Sequence, residues 1–178
     1  MVFKLTKELA FPDPYQGEPD GLLAVGGDLS VDRLLLAYSN GIFPWYAFKT
    51  KEILWWCPLD RFVIFPDEIH VSHSMRTLIN KKRYEVTFNQ AFQNVIRACG
   101  QMREEEEGAW LGPDMIKAYT RLYAQGFAAS VEVWDGDKLV GGLYGVTLGS
   151  RFADGHRWGV VSSVRACFLW FPVLRNWL

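Results

Sequence analysis

The chain has 178 residues, of which 49% are hydrophobic and 15% aromatic, and its formal net charge is −1. This length fits one domain, or a small domain joined to a partial one, and the apolar share excludes an intrinsically disordered chain. The balanced charge gives no global sign of a nucleic-acid partner, so phosphate contacts have to come from a local basic patch. Composition alone predicts an ordinary soluble enzyme.

The cysteines and the hydropathy pattern indicate the cellular compartment of the chain. Cys57, Cys99 and Cys167 lie far apart and form neither a disulfide framework nor a C-x-x-C metal site, which favours a reducing compartment. Residues 1–10 are too polar for a signal peptide, and no run approaches the roughly 18 apolar residues of a membrane span. We predict a cytoplasmic monomer with no membrane segment, no metal and no cofactor.

Turn and capping residues predict the first elements. Residues 11–20 are rich in Pro, Gly and Asp, which is typical of a surface loop. Ser30 has the position of an N-cap and Asn40-Gly41 supplies a stop signal, so a helix is predicted between them.

Aromatic segments follow this helix. Residues 42–46, Ile-Phe-Pro-Trp-Tyr, predict a rigid turn, and the apolar runs at 53–56 and 61–65 predict two short strands. We expect residues 1–70 to form a small N-terminal α/β domain.

Helical and strand patterns alternate in the middle of the chain. A short basic helix is predicted from Ser72 to residues 81–83, and residues 84–88 alternate like a strand. Asn89 is the predicted cap of the next helix, and Gly100 its predicted end. The apolar face of that helix is predicted to carry Phe92, Val95, Ile96 and Cys99.

A further helix and a hairpin complete the regular pattern. Pro113 opens the helix and Gly126 ends it. Residues 130–134 and 138–148 are predicted antiparallel strands, because the Asp-Gly pair between them readily takes the positive φ of a tight turn. Helices followed by antiparallel strands indicate an α+β fold, with a second domain over residues 71–150.

Residues 151–178 differ from the rest in charge. They contain four Arg, no Lys and a single acid, Asp154, whereas residues 1–150 carry 15 basic and 19 acidic residues. Two interpretations stay open. This stretch is either a basic C-terminal strand or helix, or an atypical tail that is not the native continuation of the fold.

Two local patterns have the residue types that bind RNA. Trp45 and Trp110 stand beside Pro44 and Gly108, which hold an indole rigidly near a surface where it can stack on a nucleobase. Most tryptophans are simply core residues, and that alternative is preferred for Trp55 and Trp56. The basic concentration at residues 70–83 consists of His70, His73, Arg76, Lys81, Lys82 and Arg83 and suits phosphates, although a solvated helix end explains it equally well.

Three glycines interrupt the second hairpin strand, at Gly141, Gly142 and Gly145. Glycine weakens a strand, so its presence usually marks a bulge or a close approach of another group to the backbone.

Several long blocks occur in a fixed order along the chain: PDGLLAVGGDLS at 19–30, RLLLAYSNGIFPWY at 33–46, ILWWCP at 53–58, HVSHSM at 70–75, YEVTFNQAFQNVIRAC at 84–99, GAWLGPDMIKAYTRLYAQGFAASVEVW at 108–134 and LVGGLYGV at 139–146. Together they resemble the leucyl/phenylalanyl-tRNA–protein transferase family over about residues 10 to 150. The resemblance implies a small N-terminal domain followed by an acetyltransferase-like (GNAT-type) domain, which is incomplete here.

The resemblance also implies an activity and its partners. The family moves Leu or Phe from the 3′ end of an aminoacyl-tRNA to the N-terminal Arg or Lys of an acceptor protein, which marks that protein for degradation. By the same resemblance, Trp45 and Trp110 sandwich the terminal adenosine, Leu143 and Phe152 line the pocket for the apolar side chain, and Tyr38 and Tyr119 lie near the site.

The catalytic groups that the resemblance implies are absent. Family members have an acid in a Gly-Glu-Ser-Met-Phe segment and a later Asp-x-Gln pair; here Gly155 falls where the acid belongs. We therefore assign no catalytic residue and expect impaired transfer. Two alternatives stay open: a non-catalytic module that binds tRNA 3′ ends, and an acyltransferase of the same fold with another acyl donor.

Overall fold

The computed structural model describes residues 1–46, 52–61, 65, 68, 70–104 and 111–159, with the backbone alone for 102–104 and 154–159. The helices of the described residues are α1 (Val31–Ser39), α2 (His73–Asn80), α3 (Phe92–Glu104) and α4 (Pro113–Ala124). The strands are β1 (Phe3–Leu5), β2 (Leu22–Gly26), β3 (Phe43–Tyr46), β4 (Ile53–Trp56), β5 (Glu85–Phe88), β6 (Ala128–Asp135), β7 (Lys138–Leu148) and β8 (Arg151–Gly159). The predicted mixed α+β class with a small N-terminal domain is confirmed.

The N-terminal strands form a small sheet in the order β1-β2-β4-β3. Strand β1 runs parallel to β2, and the other neighbours are antiparallel. Trp55 of β4 is fully buried and donates its indole N–H to the carbonyl oxygen of Gly26 at 2.9 Å, so its expected core role is confirmed. Trp56, the next residue, is only half-buried.

The segment predicted as an aromatic turn, residues 42–46, is extended instead. Gly41 has a φ of 72°, so the chain reverses at the end of α1, before this segment begins. Residues 43 to 46 then pair with β4, and the predicted turn is wrong. The cause is tertiary, because a strand can form here only when β4 lies alongside.

The caps of α1 and α2 follow their sequence signals. The Ser30 hydroxyl accepts the N–H of Arg33 at 3.4 Å, and the Ser72 hydroxyl accepts that of Met75 at 3.4 Å. Helix α2 ends at Asn80, slightly before the predicted end at residues 81–83. The strand predicted at 61–65 lies mostly outside the described residues.

The second sheet has the order β5-β6-β7-β8 and is antiparallel throughout its described strands. Strands β6 and β7 form the predicted hairpin: Asp135 pairs with Lys138, and Gly136 has a φ of 60°. Strand β8 pairs with β7 from Arg151 onward, so the sheet continues through the first part of the segment predicted to be atypical. The boundaries at residues 70 and 150 stay predictions.

Helices α3 and α4 cover one face of this sheet. The apolar face predicted for α3 is confirmed in the core, where Phe92, Val95, Ile96 and Cys99 are all buried. Helix α4 buries Met115, Tyr119 and Leu122, and its Ile116 and Tyr123 are partly buried against the same core. Gly126 ends α4 with a φ of 80°, as expected of a glycine after a helix. No helix in the described part of the chain is both long and apolar enough to cross a bilayer.

Two predictions for α3 are wrong. Asn89 adopts a left-handed φ of 56° and accepts the backbone N–H of Ser130 at 2.8 Å, so its side chain caps β6 and not the helix. Gly100 lies inside α3, which continues to Glu104. A Cβ at Gly100 would stand 3.5 Å from the carbonyl oxygen of Leu111, which is an ordinary contact, and the helix continues through this buried glycine.

Candidate functional site

Tyr38 of α1 and Tyr119 of α4 meet between the N-terminal part and the second sheet. Their hydroxyl oxygens lie 2.5 Å apart, and their ring centroids are 6.4 Å apart. The ring of Tyr119 also packs edge-on against Tyr144 of β7, with centroids 5.5 Å apart. The structure therefore brings together the two tyrosines that were expected near the site.

Burial keeps both hydroxyls protonated. Desolvation is the main cause that raises the pKa of Tyr38 well above 10.0, and the neighbouring Tyr119 raises it further. Desolvation also raises the pKa of Tyr119 to about 12, although its hydrogen bond with Tyr38 acts in the opposite direction. At neutral pH this pair forms a neutral hydrogen bond between α1 and α4, and it cannot act as a general base.

Trp45 lies on β3, opposite Leu54 of β4, and its side chain is half-buried. The next residue, Tyr46, reaches the start of α4: its ring carbon Cε2 lies 3.9 Å from the point where a Cβ on Gly112 would stand. Burial, and then the charge of Asp114 in the first turn of α4, raise the pKa of Tyr46. The end of β3 thus lies against the segment that leads into α4. Trp110 itself lies outside the described residues.

Leu143 and Phe152 share the face of the second sheet that points away from α3 and α4. Leu143 is 3% exposed and clusters with Val131, and the half-buried Phe152 packs against the same cluster. The register agrees, because Phe152 pairs with Thr147, which lies on the same side of β7 as Leu143.

The predicted site residues thus fall into separate groups. Tyr144 contacts Tyr119, and strand alternation directs it to the face opposite Leu143. The tyrosine pair and the Leu143–Phe152 pair therefore lie on the two sides of one sheet.

A buried carboxylate that the sequence analysis missed connects β6 to α3. Glu132 is 0% exposed and accepts hydrogen bonds from the hydroxyls of Thr87 at 2.7 Å and Ser130 at 2.5 Å. It also accepts the backbone N–H groups of Gln90 at 3.5 Å and Ala91 at 3.3 Å, beside the N-terminus of α3. The sequence did contain a signal for this residue, because Glu132 is the one acid within the predicted strand at residues 130–134.

The basic residues at 70–83 surround α2. His70, His73, Arg76, Lys81, Lys82 and Arg83 are all exposed. Arg83 forms an exposed ion pair with Asp135, at 3.2 Å. Arg76, Lys81 and Lys82 present positive charge to solvent on one short stretch of chain, an arrangement that suits a polyanion. Within the described residues, no three His, Cys, Asp or Glu side chains are grouped closely enough to hold a metal ion.

The position of Gly155 in β8 is irregular. Tyr144 pairs with His156 and Gly145 pairs with Asp154, so Gly155 is the extra residue of a bulge between them. Bulges are frequent beside active sites, where they redirect a side chain.

Two family models match the chain. The model of the leucyl/phenylalanyl-tRNA protein transferase matches residues 63–161, and the model of that transferase's N-terminal domain matches residues 27–59. The chain belongs to the leucyl/phenylalanyl-tRNA protein transferase family. The resemblance noted in the sequence is thereby confirmed.

Curated relatives carry the same name. The leucyl/phenylalanyl-tRNA–protein transferase of Anaeromyxobacter sp. (strain Fw109-5) is 53% identical over 152 residues, which cover 85% of this chain and 64% of the relative. That of Syntrophobacter fumaroxidans is 55% identical over 152 residues, with the same coverage. That of Flavobacterium psychrophilum is 50% identical over 160 residues, which cover 89% of this chain and 75% of the relative. The chain thus spans 64% of the length of the first two relatives.

Proposed function

We propose that the chain binds the 3′ end of a leucyl- or phenylalanyl-tRNA and serves the transfer of that amino acid to the N-terminal Arg or Lys of acceptor proteins, which tags them for degradation. Membership of the transferase family and the names of the relatives support this function. The protein acts as a cytoplasmic monomer. Its second sheet, with α3 and α4, belongs to an acetyltransferase-like (GNAT-type) domain.

The observation that carries the proposal is that Tyr46 lies near Gly112: its ring carbon Cε2 is 3.9 Å from the point where a Cβ on Gly112 would stand. Tyr46 directly follows Trp45, and Gly112 comes two residues after Trp110. The terminal adenosine binds between these two indoles, because stacking on an aromatic ring is worth about 1–3 kcal/mol per base.

The remaining site residues supply specificity and position. Leu143 and Phe152 line an apolar pocket for the aminoacyl side chain, and their common place on one sheet face supports this role. Tyr38 and Tyr119 lie on the opposite face of the second sheet, so they support the site indirectly, by joining α1 to α4 through their hydroxyls. Such an apolar pocket discriminates by only about 1–3 kcal/mol per methylene.

The exposed basic residues around α2 contact phosphates of the RNA. Because the net charge of the chain is −1, this local concentration and not the overall charge attracts the polyanion. Lys81 and Lys82 are adjacent exposed cations, and the exposed Arg76 lies five residues before them.

The reaction is aminolysis of an activated ester. The α-amino nitrogen of the acceptor attacks the carbonyl carbon, the bond from that carbon to the ribose oxygen breaks, and the ribose oxygen receives a proton. An enzyme must remove a proton from the attacking amine, and Gly155 stands where the resemblance puts an acid. We therefore expect weak or absent transfer by this chain, and binding without transfer is the second candidate function.

The decisive experiment measures binding and transfer separately. Trp45→Ala and Trp110→Ala are each expected to weaken the binding of charged tRNA by roughly 5- to 150-fold, the equivalent of one lost base stack. Trp134→Phe is the matched control, because Trp134 donates its indole N–H to Thr87 at 2.8 Å inside the second sheet. Binding unchanged in both alanine variants contradicts the clamp.

A transfer assay on the same proteins separates the two candidates. Purified chain, charged tRNA and a peptide that begins with Arg are mixed, and labelled Leu or Phe is followed into the peptide. Transfer that depends on Trp45 supports the enzyme. Tight binding with no transfer supports the non-catalytic module.

A further inference from the structure

Gly145 occupies an unusual position in β7. It pairs with Asp154 of β8 on one side and with Ala129 of β6 on the other. The register of β8 shifts between Gly145 and Tyr144, which pairs with His156. Gly145 is thus a buried glycine in a central strand, at the edge of a bulge in the neighbouring strand.

The ring of Phe152 occupies the space where a side chain of residue 145 would lie. A Cβ on Gly145 would stand 2.5 Å from Cζ and 2.8 Å from Cε1 of the Phe152 ring, and closer still to the carbonyl oxygen of Ala153. Ordinary van der Waals contacts between carbon atoms lie at about 3.5–4.0 Å. The ring of Phe152 can lie over β7 only because residue 145 is glycine.

Leu143 lies next to this ring. Residues 143 and 145 share one face of β7, since side chains alternate along a strand. Leu143 is 3% exposed, whereas Phe152 retains part of its exposure. Ala129 is the cross-strand partner of Gly145, so small residues flank the ring on both strands beneath it. The ring thus forms an accessible wall beside a buried Leu143.

We propose that Gly145 determines specificity by setting the position of the Phe152 wall, and hence the depth of the pocket that receives the apolar side chain of an aminoacyl ester. The inference rests on the proposed function of Leu143 and Phe152. A methyl group at residue 145 meets the carbonyl oxygen of Ala153 as well as the ring, so it displaces β8 and carries the Phe152 ring into the pocket. A shallower pocket excludes a phenylalanyl side chain before it excludes a leucyl side chain.

The test measures binding, so it does not depend on catalysis. Isothermal titration of the full chain uses two non-hydrolysable probes, 3′-phenylalanylamino- and 3′-leucylamino-3′-deoxyadenosine. In Gly145→Ala we expect the ratio of the two dissociation constants to shift against the phenylalanyl probe by roughly tenfold, within the range of one methylene in an apolar pocket. Equal weakening for both probes shows a merely structural role and overturns the proposal.

Gly100→Ala is the matched control. It adds the same methyl group at another buried glycine, where the nearest atom would be 3.5 Å away and the contact is ordinary. We expect its ratio of dissociation constants to equal that of the unmodified chain. A shift like that of Gly145→Ala contradicts the assignment, because it shows that any added methyl group alters selectivity.

A second variant keeps the test decisive if Gly145→Ala does not fold. Phe152→Leu removes the ring without adding a Cβ, so the ratio is expected to shift toward the phenylalanyl probe. If Gly145→Ala does fold, its effect on the ratio is expected to shrink in the Phe152→Leu background, because the displaced ring is gone. A ratio unchanged by Phe152→Leu overturns the proposal.

The proposed function fails in a different way. If the unmodified chain binds neither probe, the proposed adenosine site is contradicted, and so is the proposed pocket for the aminoacyl side chain. If it binds both probes but Gly145→Ala leaves their ratio unchanged, only the role of Gly145 is contradicted.

Discussion

The hydroxyl oxygens of Tyr38 and Tyr119 lie 2.5 Å apart and join α1 to α4. Tyr119 is 1% exposed and cannot lose its proton without placing a charge among the rings of Tyr38 and Tyr144. This bond is one of the described contacts between the N-terminal part of the chain and the elements around the second sheet. Its protonation state therefore bears on how firmly the two parts are held together.

The first prediction concerns stability at alkaline pH. The pKa of Tyr119 is raised to about 12 in the folded chain, against 10.0 as its ordinary value. A raised pKa stabilises the fold below pH 10, and this contribution is lost as pH rises from 10 toward 12. The measurement is urea unfolding at several pH values in this window. In Tyr119→Phe the free energy of unfolding is expected to fall less steeply with pH than in the unmodified chain, by up to about 1.4 kcal/mol per pH unit.

Tyr15→Phe serves as the control for this window, because Tyr15 is an exposed tyrosine. We expect its pH dependence to match that of the unmodified chain. An identical fall with pH in Tyr119→Phe and Tyr15→Phe contradicts the role of the buried pair.

The second prediction concerns Glu132. Its carboxylate accepts four hydrogen bonds while fully buried, two of them from the backbone before α3. Glu132→Gln keeps the shape of the side chain but replaces one acceptor oxygen with an N–H₂ group, which is a donor. The backbone N–H groups of Gln90 and Ala91 are also donors and cannot become acceptors, so a hydrogen bond is lost. Urea unfolding is expected to show a loss of about 2–3 kcal/mol, the cost of unsatisfied buried groups and of charged hydrogen bonds.

Glu85→Gln provides the comparison, since it removes the same charge at an exposed residue of β5. We expect it to alter the free energy of unfolding by less than about 0.5 kcal/mol. Equal losses at residues 85 and 132 rule out a special role for the buried carboxylate.

The third prediction concerns Arg33, which is 1% exposed although charged. Its Nη2 donates to the carbonyl oxygens of Thr6 at 3.0 Å and Glu8 at 2.9 Å, and its Nε donates to Asp28 at 3.2 Å. Arg33→Met is expected to release the N-terminal segment to protease and to cost about 1–3 kcal/mol, because these bonds contribute about 1 kcal/mol each.

Limited proteolysis followed by mass spectrometry locates the cleavage sites. Arg97→Met, a change of the same kind at an exposed position of α3, is expected to leave the cleavage pattern unchanged. New cleavage confined to the second sheet in Arg33→Met contradicts the anchoring role.

The fourth prediction concerns the basic residues around α2. If Lys81 and Lys82 contact RNA phosphates, replacing both with Gln lowers the magnitude of the slope of log K against log salt by about 1.4–1.8. The measurement is binding of charged tRNA over a series of salt concentrations. Lys4→Gln with Lys7→Gln is the matched pair of lost charges at exposed positions near the N-terminus, and its slope is expected to stay unchanged.

Local signals in the sequence predicted the elements whose ends depend on neighbouring residues alone. The Ser30 cap, the start of a helix at Ser72, the glycine at 126 and the Asp-Gly turn at 135–136 all appear as expected. In each case a side chain or a positive φ acts within a few residues, so the physics is contained in a short window of sequence.

Prediction failed where a distant segment decides the local structure. Asn89 looked like a helix cap, but its side-chain oxygen accepts the N–H of Ser130, more than forty positions along the chain. Glu132 accepts the N–H of Ala91 at the start of the helix instead. Gly100 looked like a helix end, but α3 continues through it to Glu104, and Gly100 is buried beside Leu111. No pattern in a local window distinguishes these partners.

The sequence by itself determined the family, the α+β composition and the residue types of the site, because ordered blocks and capping patterns are properties of the chain alone. Only the tertiary structure decided how those residues are distributed. It put Tyr119 on one face of the second sheet and Leu143 with Phe152 on the other, and placed the ring of Phe152 over Gly145. The physical reason is that strand register, set by pairing across the whole sheet, chooses the face on which each side chain lies.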